Sequence, residues 1–131
     1  MTIFADTFYF IGLLNRRDQS HSRCTAFALT FQGLAVTTDY VLVELADALS
    51  SPTVRTQIVA FIEPVRANVR CRVIPASEDL LRRGLARYRD RADKDWPLTD
   101  CISFVVMEDL GLTEAATGDQ HFVQAGFRAL L

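Results

Sequence analysis

Apolar positions along this chain follow two alternating rhythms. Short runs of strand length, TIFA (2–5), LAVTT (34–38) and VRCRVI (69–74), are β-branched or alternating, and each predicts a β-strand. Between them lie longer segments whose apolar residues recur every three or four positions, the spacing that gathers side chains on one helical face. FYFIGLLN (8–15) predicts a buried helix, SHSRCTAFALTFQG (20–33) a second one stopped by Gly33, and DYVLVELADALS a third directly after LAVTT. Pro52 stands where a first helical turn tolerates proline and opens PTVRTQIVAFIEPV, with Val59 and Ile62 in its apolar stripe. ASEDLLRRGLARYRDRA starts at the capping residue Ser77 and repeats Leu80, Leu81, Leu85 and Tyr88 at helical spacing. WPLTDCISFVVMEDLG (96–111) predicts a helix sunk in the core through the run Cys101 to Met107. TEAATGD reads as a short strand entering a turn, and GFRALL as a closing strand.

Strands thus alternate with helices from end to end. That order predicts an α/β domain with a mainly parallel sheet and right-handed crossovers, whose ligands bind outside the carboxyl ends of the strands. Asp6 follows the first strand and Asp119 follows TEAAT. Glu44 lies in the helix after LAVTT, and Asp100 begins the helix of WPLTDC. The parallel reading brings all four carboxylates to one end of the sheet. Two carboxylates about 5 Å apart repel by roughly 3 kcal/mol at an effective dielectric near 20. Four together need raised pKa values or a cation between them, and carboxylate oxygens are the hard ligands that Mg2+ and Mn2+ take. Each residue also has a plain alternative. Asp6, and Thr99 or Asp100, can cap the helices that follow them. Glu44 can belong to a solvated stripe with Tyr40, Asp47 and Ser51, and Asp119 to ordinary Gly-Asp turn chemistry.

Composition narrows the class. A chain of 131 residues, 50% hydrophobic and 23% charged, reads as one globular domain over 1–131 rather than a disordered segment. A net charge of −2 predicts no bulk attraction to nucleic acid or membrane, so any such binding needs a local patch. Cys24, Cys71 and Cys101 form no CxxC pair and no disulfide framework, which fits a reducing compartment. The apolar start MTIFADTFYF lacks a basic leader, Asp6 interrupts it, and no stretch has the length to span a bilayer. The expectation is a cytoplasmic protein.

The segments FADTFYFIGLLNRRD, TTDYVLVEL, DKDWPLTDCISFVVM and TGDQHFVQAGFRALL, in this order and spacing, resemble a PIN domain, and most closely the VapC-type ribonuclease toxins. The resemblance runs over essentially the whole length. It implies an α/β/α sandwich around a parallel sheet and hydrolysis of RNA phosphodiester bonds with Mg2+ or Mn2+. Its acidic set falls on Asp6, Glu44, Asp100 and Asp119, as metal ligands and catalytic groups. Asp93 matches a secondary acidic position, Thr7 the hydroxyl after the first aspartate, Thr99 the hydroxyl before the third, and Thr117-Gly118 the pair before the last. Pro97 stands where relatives usually have serine, outside the metal set. The resemblance further implies a homodimer and a small antitoxin protein covering the acidic pocket.

Arg82, Arg83, Arg87 and Arg89, with Arg91 and Lys94, crowd the stretch leading into the Asp100 helix and are candidates for holding RNA phosphates. The alternative is a solvated face partly neutralised by Asp79, Asp90 and Asp93. Arg16 and Arg17 form a smaller basic candidate. Tyr88 and Trp96 can stack on bases or serve packing. His121 lies close to Asp119 and within reach of substrate, His21 caps a helix or faces solvent, and neither has zinc-ligand spacing. Cys101 reads as a small buried hydrophobe. Two other functions stay open: a stand-alone PIN ribonuclease in RNA processing, and a non-catalytic PIN-like binding module.

Overall fold

Strand β1 (Thr2–Ala5) is apolar on both faces, with Ile3, Phe4 and Ala5 all buried, and that composition puts it at the centre of a sheet. The computed structural model, covering Met1–Leu131, pairs it in parallel with β2 (Leu34–Thr38) on one side and β4 (Glu114–Ala116) on the other. β3 (Cys71–Ile74) extends the sheet beyond β2, and β5 (Arg128–Ala129) beyond β4, giving the order β3-β2-β1-β4-β5. Every pairing is parallel, so the sheet is wholly rather than mainly so. Seven helices connect the strands: α1 (Thr7–Leu14), α2 (His21–Thr30), α3 (Asp39–Ala48), α4 (Arg55–Ala67), α5 (Glu78–Asp90), α6 (Leu98–Asp109) and α7 (Gln120–Gln124). They flank the sheet in the α/β/α arrangement expected of the sequence, and none is long and apolar enough to cross a membrane.

Several expectations change in detail. Helix α2 ends at Thr30, three residues before Gly33, where an added Cβ would lie 2.3 Å from the Met1 carbonyl oxygen. Pro52 sits in a turn, and α4 begins only at Arg55, leaving Val59 54% exposed rather than in the stripe. The closing strand shrinks to Arg128–Ala129, preceded by Gly126 at φ 96°, a left-handed turn. Helix α7, five residues in the TGDQH region, is absent from the pattern reading altogether. Ser77 does cap α5, accepting from the Leu80 amide. Of the stripe drawn on that helix, however, only Leu80 is buried, while Leu81, Leu85 and Tyr88 face solvent. The packed face runs instead through Gly84, where an added Cβ would lie 2.3 Å from Ile102 of α6. His21 opens α2 behind the cap Ser20, and its ring is 2.7 Å from the Gly12 carbonyl, tying α2 to α1.

Helix α6 forms the spine of the core, every residue from Asp100 to Met107 being buried. Phe104 gathers an aromatic cluster around itself: Trp96 and Phe122 each pack edge-on at 5.0 Å between ring centroids. Phe122 also touches Phe4 of β1 at 6.2 Å, and the Trp96 indole donates to Gln124 Oε1 at 2.9 Å. This cluster is what holds the short α7, and with it the 117–121 segment, against β1 and α6. Trp96 therefore serves packing, whereas Tyr88 is 54% exposed.

Candidate metal centre

Parallel pairing aligns the carboxyl ends of β1, β2 and β4, and the chain leaves each through a polar residue. Asp6 follows β1 and N-caps α1; its Oδ2 accepts from Thr117 Oγ1 at 2.8 Å and, more weakly, from the Phe8 amide at 3.4 Å. Its other oxygen, Oδ1, is sealed from solvent and has no hydrogen-bond partner, and neither has the neighbouring Thr7 Oγ1. Leaving a buried acceptor unsatisfied costs on the order of 1–3 kcal/mol, and more for a charged one. Asp39, at the same edge after β2, shows the contrast. It is fully engaged, by Arg66 and by the Ala76 amide, and clamps the loop beyond β3.

Asp100 does not cap its helix. Helix α6 begins at Leu98 behind Pro97, which makes no capping bond, and Asp100 lies within the first turn. Its carboxylate points sideways, where His121 Nδ1 lies 2.9 Å from Oδ2. The same Nδ1 is 3.2 Å from Oδ1 of Asp119, which caps α7 by accepting from the His121 amide at 2.9 Å. Thr117, fully buried at the end of β4, accepts from the Asp119 amide at 3.0 Å through the hydroxyl that donates to Asp6. Asp6, Thr117, Asp119, His121 and Asp100 thus form one connected set.

The electrostatics follow from this crowding. Burial, then repulsion from Asp100 and Glu44, pushes Asp6 up to about 8, against the Thr117 bond that favours its anion. Burial likewise lifts Asp100 to about 6; the His121 contact opposes the rise, and Asp119 and Glu44 add to it. Glu44, half-buried on α3, adds to the repulsion felt by both Asp6 and Asp100. Asp100, Asp119 and His121 each offer a donor atom, all within 4.8 Å of one another. An unpartnered buried oxygen among mutually repelling carboxylates is the donor set a hard divalent cation satisfies, so these residues fit a metal ion.

Other residues fall outside the cluster. Asp93 is exposed and bonded to Arg91, whose hydrogen bonds hold its carboxyl below the usual range. The Thr99 carbonyl accepts from the Ser103 hydroxyl at 3.0 Å, one turn further along α6. Arg83 binds Asp109 through two bonds of 2.6 and 2.7 Å, and Arg87 binds Glu108 at 2.7 and 2.8 Å. Both acids lie at the end of α6 opposite Asp100, roughly 12 Å away at the helical rise of about 1.5 Å per residue. Arg82 pairs with Asp79 and Arg89 with Asp90 on the outer face of α5, their side chains 73% and 76% exposed. His121 and Thr117 are central here. The signal for both was their place in TGDQH, two residues either side of Asp119; Thr117 ends β4, and His121 lies on a helix that the pattern did not reveal.

No family model and no curated sequence matches the chain, but solved structures do. The crystal structure of Mycobacterium tuberculosis VapC20, a Sarcin-Ricin loop cleaving toxin, superposes with a TM-score of 0.87 at 25% identity, over 95% of each chain. FitAB, solved bound to the IR36 DNA fragment, superposes with a TM-score of 0.70 at 15% identity, over 99% of this chain and 94% of the other. The chain has the PIN-like fold of VapC20.

Proposed function

We propose that this chain is a divalent-metal-dependent ribonuclease, the toxin of a type II toxin–antitoxin pair, acting as one nuclease domain over residues 1–131. The observation that carries the reading is the buried, unpartnered Asp6 Oδ1 set among Asp100, Asp119 and Glu44. Likeness to a Sarcin-Ricin loop cleaving toxin over 95% of the chain supports RNA as the substrate class. Asp6, Asp100 and Asp119 hold Mg2+ or Mn2+, and Glu44 either joins them or accepts the proton of the attacking water. When bound, such an ion supplies Lewis acidity toward water and the scissile phosphate. Thr117 fixes the Asp6 rotamer and the 117–119 turn, so that two carboxylates reach the ion already aligned. Thr7 offers a further buried oxygen beside them. Asp93 and Thr99 remain secondary positions. Of the arginines, Arg82 and Arg89 are the better phosphate contacts, since Arg83 and Arg87 clamp α5 to the end of α6. In this reading the protein is cytoplasmic and homodimeric, and a small antitoxin covers its acidic pocket.

Induced expression in a bacterial host tests this reading. Growth arrest accompanied by new RNA ends is expected from the natural chain, and neither from Asp100→Asn. Arrest that persists in Asp100→Asn, with RNA intact, contradicts it.

A further inference from the structure

We propose that His121 is itself a ligand of the ion, completing a mixed nitrogen–oxygen site with Asp100 and Asp119, and that the protein therefore favours Mn2+ over Mg2+. The inference rests on the metal-dependent reading of the same site and names which ion that site selects. Its basis is geometric. Nδ1 stands 2.9 Å from Asp100 Oδ2 and 3.2 Å from Asp119 Oδ1. Two ligands at right angles around an ion with bonds of about 2.1 Å lie about 3.0 Å apart, so both separations have the length of an octahedral edge. A core histidine that merely satisfies one acceptor has no need of two carboxylates on the same nitrogen.

The ring is also held in place. Its backbone amide is bonded to Asp119 Oδ1, its neighbour Phe122 is fully buried against Phe104 and Phe4, and its side chain is only 19% exposed. An independent sign that the pocket takes a cation is Asp6 Oδ1, buried and unpartnered in the same cluster. The chemistry then sets the preference. Mg2+ takes oxygen ligands and keeps its waters, gaining little from an imidazole, whereas first-row transition ions accept nitrogen donors readily.

Calorimetric titration of MnCl2 and of MgCl2 into the metal-stripped full chain, beside His121→Ala and Asp100→Asn, tests the proposal, together with the pulsed electron-spin-echo spectrum of the bound Mn2+. The natural chain should bind Mn2+ about tenfold more tightly than Mg2+ and show nitrogen modulation from a directly bound ring. His121→Ala should lose that modulation and most of the margin, with Mg2+ binding changed by less than about threefold. A residue that only orients Asp100 weakens both ions alike and gives no directly bound nitrogen, and that result overturns the inference while leaving the metal centre standing. The spectrum of the natural chain decides the point even where His121→Ala fails to fold. Absence of binding by either ion to the natural chain removes the metal centre itself, and this inference with it.

Discussion

The Thr117 hydroxyl serves two masters, donating to Asp6 and accepting from the Asp119 amide. Replacing it with valine keeps the shape and removes both bonds. We expect a stability loss of about 1–2 kcal/mol in chemical denaturation and metal affinity lowered roughly tenfold, with Thr117→Ser restoring most of both. The carboxylates themselves behave in the opposite way. Because Asp6 is raised from 3.8 to about 8, its anion is less stable in the fold than in the unfolded chain. The metal-free protein is thus relatively most stable below pH 4 with respect to this group, and loses stability as pH rises toward 8, by at most on the order of 6 kcal/mol. Asp100, raised to about 6, adds a smaller loss that is complete at lower pH. Thermal melts at pH 8.5 without divalent ions should therefore place Asp6→Asn above the natural chain, and added Mn2+ should raise only the natural chain substantially. A melting point lowered by Asp6→Asn would make this carboxylate structural. The meeting of Asp6 and Asp119 at one sheet edge was legible in the sequence because strand ends in a parallel sheet converge, whereas Glu44 and Asp100 come to that edge from α3 and α6. The role of His121 as the contact between two of them was not, because it depends on α7.

At the scale of elements, the long helices and three of the strands could be read from periodicity, and the failures share a cause. Helix α7 is five residues long, too short for a helical period to register, and it persists because Phe122 packs on Phe104 and Phe4 rather than through propensity. Helix α5 has two candidate apolar faces, and periodicity chose the one with more leucine. The structure buries the other because Gly84 lets α5 close on Ile102, a contact governed by the absence of a side chain. Gly84→Ala tests this directly. On a solvent face the change would stabilise by up to about 1 kcal/mol. Here we expect a net loss of about 1–2 kcal/mol in urea unfolding, since overpacking against Ile102 outweighs the gain in propensity. Asp100 was misread for a related reason: a polar residue just before an apolar run looks like a cap, yet α6 starts two residues earlier behind Pro97.

For the whole molecule, strand order was beyond the sequence, although its consequence, carboxylates gathered at one sheet edge, was not. A net charge of −2 leaves RNA attraction to local groups, and all four arginines on α5 are paired with acids. Replacing Arg82 and Arg89 together by alanine should weaken RNA binding at low salt and lower the slope of log affinity against log salt by about one to two, with the fold unchanged by circular dichroism. An unchanged slope would assign both to the solvated surface. Whether RNA cleavage depends on an ion held by the acidic cluster is tested directly on the purified protein. Purified chain should be incubated with a mixed RNA pool in Mn2+ or Mg2+, in chelator, and beside Asp100→Asn. We expect cleavage with either ion, lost in chelator and reduced by at least about a hundredfold in the folded Asp100→Asn chain. Cleavage that survives chelator or Asp100→Asn, or its absence from the natural chain under every condition, would contradict that dependence.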